Sequence, residues 1–408
     1  MKRRHSGNLE WVCLNRRRFL KYAGATAAAI GASALGFEYF FPKLPSRNES
    51  SNRVTSTSST LRSQTSFSSS TGTTARPTYI SPKEDFVTIE KARFIQKGRP
   101  FSLRGFNYFP KYHPWRIFNE WDGAEVDYEL GLGANLNANC VRTAINYQFS
   151  TNNVYYEHSW QDFHLDQTYL DNVESFLALA DKRNLKVVLT LFDYVYWELI
   201  NPTSYWVGES YLQELIPRFA DDARILGWDV INEPDLGLFP NAGVDNTVGF
   251  LRAMTKKIHE LDKNHPTTIG LGKASNTPKI EDFTDFLSFH YYGPAESLRN
   301  EAIPLAQFEK PIVLEEFGKH SYPNRPGDPS NESLQRDHYL DTLETIQAGG
   351  MQNFCGELFW CLLDYPVLND PLESPLKGEE IFENHMGVFR LDYTPKLAAD
   401  VVKRYYQA

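Results

Sequence analysis

Trp228-Asp229-Val230-Ile231-Asn232-Glu233-Pro234 and Pro311-Ile312-Val313-Leu314-Glu315-Glu316-Phe317-Gly318 are two short apolar runs that each end in a carboxylate. Runs of this length, rich in Val, Ile and Leu and lacking polar alternation, read as strands buried on both faces, the state of a parallel sheet. The step from Glu233 to Glu316 covers 83 residues, which is three βα repeats of about 28 residues each. Working outward, similar runs occur at Ser102 to Tyr108, Asn139 to Ile145, Lys186 to Phe192, Ile225 to Ile231, Thr267 to Leu271, Phe286 to Tyr291, Ile312 to Glu316 and Gly356 to Leu362. Helical periodicity fills the gaps, with Leu170, Val173, Leu177 and Ala180 on one face and Leu251, Met254, Ile258 and Leu261 on another. A third helical stretch, Glu332 to Ala348, stops at Gly349-Gly350. Eight buried strands alternating with helices predict an α/β fold, a closed (β/α)8 TIM barrel. The hairpin pattern from Phe86 to Pro100 is expected to plug the barrel floor.

In such a barrel, chemistry belongs at the C-terminal ends of the strands. Glu233 ends the fourth run and Glu316 the seventh, so both carboxylates reach one mouth. Glycoside cleavage needs such a pair, one acid to protonate the leaving oxygen and one carboxylate to attack the anomeric carbon or activate water. The nucleophile must stay ionised beside a cation, and Arg142, ending the second run in Cys140-Val141-Arg142-Thr143, is the natural partner. Glu315 is the rival to Glu316. Strand alternation puts Glu316 on the side of Ile312 and Leu314 and turns Glu315 the other way.

Asn232-Glu233-Pro234 together with Glu315-Glu316-Phe317-Gly318 resembles glycoside hydrolase family 5 and its clan of retaining barrel enzymes, from about Phe86 to the C-terminus. The resemblance implies that Glu233 is the acid/base and Glu316 the nucleophile. It implies that Arg142 holds the nucleophile, Asn232 the sugar 2-hydroxyl, His290 lines the subsite, Tyr292 hydrogen-bonds the nucleophile and Trp360 is the stacking platform. One departure stands out: where many members place a His after the third strand, this chain reads Phe192-Asp193-Tyr194. Arg104, Asn107, Tyr108, His113 and Trp115 are further candidates for subsite lining, as are Trp197, Tyr205 and Trp206 in a long loop.

Other classes fit poorly. The formal net charge of −9 over 408 residues gives no basic footprint for nucleic acid. No His-x-His or His-Glu-x-x-His set argues for a metal hydrolase, and no metal or other cofactor is expected. Phe317-Gly318-Lys319 and Asp364-Tyr365-Pro366 are poor phosphate cradles. Cys13, Cys140, Cys355 and Cys361 show no metal spacing and no disulfide is expected among them. An aromatic content of 14% suits a sugar cleft and equally a large core.

The N-terminal 45 residues carry Arg16-Arg17 followed by Phe19-Leu20-Lys21 and an Ala/Gly-rich apolar stretch, which resembles a twin-arginine export signal. Cleavage after Ala34 and retention as a membrane anchor are both open, and either places the body outside the cytoplasm. Residues 46–78 are Ser/Thr-rich and read as a disordered linker, leaving 79–408 for catalysis. The expected activity is a secreted or tethered, monomeric, retaining endo-β-1,4-glycanase acting on a β-glycan, mannan or glucan. The alternatives are an exo-acting β-glycosidase on oligosaccharides and a non-catalytic carbohydrate-binding protein.

Overall fold

The computed structural model describes residues 79–407 apart from 148–154, 157–158, 161–164, 194, 196, 324–329 and 368–379. The stretches read as export signal and linker therefore lie outside the described residues, as do Cys13 and Tyr194.

Eight parallel strands close into a barrel. They are β1 (Leu103–Asn107), β2 (Cys140–Asn146), β3 (Lys186–Asp193), β4 (Ile225–Asn232), β5 (Thr267–Leu271), β6 (Leu287–His290), β7 (Ile312–Phe317) and β8 (Phe354–Phe359). Each pairs with its sequence neighbour and β8 pairs with β1, Phe359 opposite Phe106. Burial on both faces explains their composition: all six residues of β7 and all five of β5 are buried.

The connections are α1 (Gly123–Ala134), α2 (Gln167–Lys182), α3 (Tyr205–Phe219), α4 (Pro234–Ala242) running into α5 (Val244–Leu261), α6 (Leu298–Ala302), α7 (Glu332–Gln347) and the closing α8 (Leu397–Gln407). Between β5 and β6 there are only two 3-10 turns, Ala274–Lys279 and Glu281–Phe283. Side-chain caps set two starts. Asp122 accepts from the amides of Ala124 and Glu125 at the head of α1, and Asp166 does the same for Thr168 and Tyr169 at α2. Leu170, Val173, Leu177 and Ala180 form the buried stripe of α2, as their spacing requires.

The N-terminal hairpin forms a small antiparallel sheet, Thr88–Glu90, Arg93–Gln96 and Arg99–Pro100. Its Val87 and Phe94 join Leu103, Cys140, Val188, Leu226, Val313 and Cys355 in one buried cluster. These are early residues of the barrel strands, so the hairpin seals the floor and leaves the opposite end for the site. Cys140, Cys355 and Cys361 are free and buried.

Candidate active site

The site is organised by Arg142, near the middle of β2 and 3% exposed. Its Nη1 donates to Glu316 Oε1 at 2.7 Å and to Asn107 Oδ1 at 3.0 Å. Nη2 donates to Asp229 Oδ2 at 2.7 Å and to Asn232 Oδ1 at 2.8 Å. Asp229 is in turn fixed by the Thr190 hydroxyl at 2.7 Å and the Gly270 amide at 3.0 Å. Residues from β1, β4 and β7 thus meet on one guanidinium carried by β2, with β3 and β5 joined to it through Asp229, and its flat fork of donors can satisfy several acceptors at once.

Glu316 is gripped from two sides, because Tyr292 Oη donates to its Oε2 at 2.6 Å. His290 sits between the two carboxylates, with Nδ1 2.8 Å from Glu233 Oε1 and 3.3 Å from Glu316 Oε2. A carboxylate oxygen of Glu233, one of Glu316 and a His290 nitrogen all lie within 4.8 Å of one another. Burial alone would lower the His290 ring, but the Glu316 charge and the carboxylates of Glu233 and Glu315 outweigh it and lift the ring to about 10. That favours a doubly protonated donor over a metal ligand, which needs the neutral imidazole.

Glu233 follows β4 in the left-handed region at φ 43°, ψ 48°, and caps α4 with Pro234 in its first turn. Its amide donates to Gly270 O at 2.7 Å. A non-glycine residue in this conformation needs such support, and strain of this kind gathers at working sites. Burial raises the Glu316 carboxyl, against the pull of the His290 and Arg142 charges.

Glu315 turns away from Ile312 and Leu314 as alternation requires, but that direction is the barrel interior: it is 1% exposed with Oε1 3.5 Å from Arg142 Nε and Oε2 3.8 Å from His290 Nε2. Glu316 is the residue that departs from alternation, since it reaches the same site instead of the side of Ile312 and Leu314. The reason lies in the ladder: Phe289 faces Leu314 but His290 faces Glu316, a register shift that brings consecutive carboxylates into the same end of the barrel. Val313, two residues before Glu315, lies in the floor cluster, whereas Ile312 and Leu314 belong to the main core. Burial would raise Glu315, yet Arg142 and His290 hold it below the usual carboxylate value.

Trp360 lies just past the end of β8, which starts and ends earlier than its composition suggests. It is 8% exposed, with Trp115 parallel at 6.4 Å and Phe109 at 5.7 Å between centroids. Its Nε1 donates to Glu383 Oε1 at 2.9 Å. Trp115 is therefore beside the platform, and Asn107 ties β7 to β8, its Nδ2 donating to the carbonyls of Glu315 and Phe359. Two other β1 candidates are elsewhere. Arg104 donates to Tyr406 O at the closing helix, and Tyr108 is buried against Phe176 with its hydroxyl on Glu129. His113 is half-buried beyond β1 and Asp193 half-buried at the end of β3. Tyr205 and Trp206 open α3 instead of riding a loop; Tyr205 packs on Phe250 and Trp206 is 50% exposed. Trp197 falls in the 3-10 turn Trp197–Ile200, and its side chain lies outside what the structure describes.

Asp229, Thr190 and Glu383 were not singled out in the sequence. The first two sit inside apolar strand runs, and only the Arg142 partnership gives them a role; Glu383 comes from a turn with no motif around it.

Paired carboxylates at the C-terminal mouth of a parallel barrel, one held by an arginine and a tyrosine, define a glycoside hydrolase. Residues 94–364 match the sequence profile described as cellulase (glycosyl hydrolase family 5), and the chain belongs to that family. Among its relatives, mannan endo-1,4-beta-mannosidase 3 of Solanum lycopersicum is 22% identical over 70% of this chain and 84% of its own length. Beta-glucuronidase of Mus musculus is 23% identical over 78% of this chain, which spans only 46% of that protein. Among solved structures, the exo-beta-1,4-mannosidase Op5Man5 of Opitutaceae bacterium strain TAV5 superposes with a TM-score of 0.64 at 18% identity. That match covers 78% of this chain and 62% of the other and shows the same fold.

Proposed function

We propose that this chain is a retaining hydrolase of β-1,4-mannosidic linkages, with Glu316 as nucleophile and Glu233 as acid/base. The observation that carries the reading is that one carboxylate oxygen of Glu233 and one of Glu316 lie within 4.8 Å of each other, on either side of His290, which leaves little room for a water between the two groups. Retaining enzymes hold the two carboxyls about 5–5.5 Å apart, whereas inverting ones need about 6.5–9.5 Å to seat a water. Glu316 attacks the anomeric carbon as the glycosidic C–O bond breaks, and Glu233 gives its proton to the departing oxygen. The resulting glycosyl ester is hydrolysed when Glu233 takes a proton from water, which adds to the anomeric carbon and releases Glu316.

The surrounding residues supply orientation. Arg142 and Tyr292 occupy one oxygen each of Glu316, so the attacking carboxylate cannot rotate. Asn232 commits its Oδ1 to Arg142, which turns the amide NH2 toward the sugar 2-hydroxyl. Trp360 supplies the stacking face. Mannan rather than glucan is favoured because the tomato relative and the Opitutaceae structure are both named for β-1,4-mannosyl linkages. The proposed location is outside the cytoplasm, delivered by the arginine-pair segment and tethered or released through the Ser/Thr-rich linker.

Internal cleavage of a polymer is the main reading, and one observation favours end-trimming instead. Trp360 is only 8% exposed, with Trp115 lying parallel and Phe109 and Tyr365 against the pair, which walls one side of the site. Hydrolysis of soluble mannan, carboxymethyl-cellulose and short manno-oligosaccharides by the wild type and by Glu316→Ala tests both. Mixed oligosaccharides from mannan, absent in the variant, support internal attack, whereas mannose alone supports trimming. No turnover of any β-glycan overturns the enzyme reading.

A further inference from the structure

Glu383 lies in the 3-10 turn Phe382–His385, 23 residues beyond Trp360, yet its carboxylate is buried against the site. The turn is pinned: Asn384 Oδ1 accepts from the Ile381 amide, and Asn384 Nδ2 donates to the carbonyls of Tyr365 and Pro366. Glu383 Oε1 accepts the Trp360 indole N–H at 2.9 Å, and among the described residues no cation pairs with it. A buried carboxylate without a cation is costly, and a neutral acceptor would hold an indole N–H for less. The charge therefore calls for a use.

We propose that Glu383 is the positioning and specificity residue of the sugar platform, fixing the plane of the Trp360 indole with Oε1 and offering its second carboxylate oxygen to a hydroxyl of the sugar in the cleavage subsite. This rests on the reading of Trp360 as the stacking face. The charged and titratable groups facing Glu383 are Glu316 from β7, Glu233 after β4, Tyr292 after β6, and Cys361 and Tyr365 from the segment after Trp360. Burial raises the Glu383 carboxyl, the indole bond pulls it back, and the Glu316 and Glu233 charges bring it to about 7.

The test uses full-length wild type, Glu383→Leu, Glu383→Gln, Trp360→Phe and the Glu383→Leu/Trp360→Phe double variant on short β-1,4-manno-oligosaccharides. Glu383→Leu raises KM about tenfold or more with a smaller fall in kcat. The double variant loses less than the product of the two single losses, because the Oε1 contact of Glu383 exists only with the Trp360 indole. Glu383→Gln, which keeps one acceptor for the indole but loses the charge and the second acceptor oxygen, raises KM above that of wild type but by less than Glu383→Leu. Independent, multiplying losses, or an unchanged KM in Glu383→Leu, overturn the proposal.

A second arm needs neither substrate nor the leucine variant. Wild-type tryptophan emission steps between pH 6 and 8, and the step is lost in Glu383→Gln and in Trp360→Phe. Its persistence in Glu383→Gln overturns the coupling. Failure of the wild type to cleave any β-glycoside, with the emission step intact, removes the enzyme reading while supporting the Glu383–Trp360 link.

Discussion

Arg142 donates to Glu316 at 2.7 Å from a guanidinium that also serves Asp229, Asn232 and Asn107, so the charge that steadies the proposed nucleophile also ties four strands together. Site and barrel interior are one hydrogen-bonded unit, and a change in either is felt in the other.

Replacing Arg142 with Ala leaves Asp229, Glu315 and Glu316 buried with no guanidinium between them. Removing one partner of a buried pair costs about 3–5 kcal/mol. The expected outcome is a large fall in midpoint denaturant concentration together with loss of turnover. Arg142→Lys keeps the charge without the fork, and it should recover part of the stability and little of the activity.

Gly270 is the glycine that β5 cannot give up. A Cβ there would fall 2.7 Å from Glu315 Oε2 and 3.1 Å from both Arg142 Nη2 and His290 Nε2. Overpacking of this kind costs about 1–3 kcal/mol, here borne by the site. Gly270→Ala should lower kcat by about tenfold or more with a modest change in thermal midpoint, checked by steady-state kinetics beside a melting curve. Unchanged kcat would show that His290 and Glu315 are not held in this arrangement during turnover.

Stability should fall on the alkaline side. Burial lifts Glu129 and Glu357 to about 8, well above the usual carboxylate value. The folded state therefore binds more protons than the unfolded chain from about pH 4.5 upward, and stability is lost as pH rises through 8. His290, raised to about 10, acts in the same direction: its contribution is full below about 6.5 and disappears as pH passes through 10. Each group adds at most about 1.4 kcal/mol per pH unit to the slope. Chemical denaturation from pH 5 to 9 should show this decline, shallower in Glu129→Gln; a rise in stability over that range contradicts it.

The barrel was legible because parallel strands buried on both faces leave unbroken apolar runs, and because Glu233 and Glu316 sit at run ends a whole number of repeats apart. The misreading of the Glu315-Glu316 pair has a local cause, since Glu315 keeps the side of Val313 and it is Glu316 that leaves the side of Leu314. Strict alternation fails where the β6–β7 register slips between Phe289 and His290, and single-sequence periodicity carries no trace of the neighbouring strand. Asp229 and Thr190 were hidden for a related reason: a polar residue inside an apolar run looks like a strand residue until its partner, 87 residues away in the case of Arg142 and Asp229, is folded beside it. Arg104 and Tyr108 were near the right strand but on its outer side, facing α8 and α1.

Glu316→Ala should lower kcat by a factor on the order of 10⁴–10⁶, as loss of a covalent nucleophile does. Glu233→Ala should lose about 10²–10⁴, less for aryl glycosides whose leaving group needs no proton. Added azide should restore turnover in both, giving the inverted glycosyl azide with Glu316→Ala and the retained one with Glu233→Ala. The same azide product from both variants would reverse or remove the assigned roles.

The most direct test of the double displacement is the anomeric configuration of the first-formed sugar, followed by proton NMR during hydrolysis of an aryl β-mannoside or a short β-1,4-manno-oligosaccharide. With Glu233 and Glu316 spaced as they are, the β-anomer should appear first and the α-anomer only later, at the rate of spontaneous mutarotation. Initial release of the α-anomer would mean single displacement by water and would contradict the assignment of Glu316 as nucleophile.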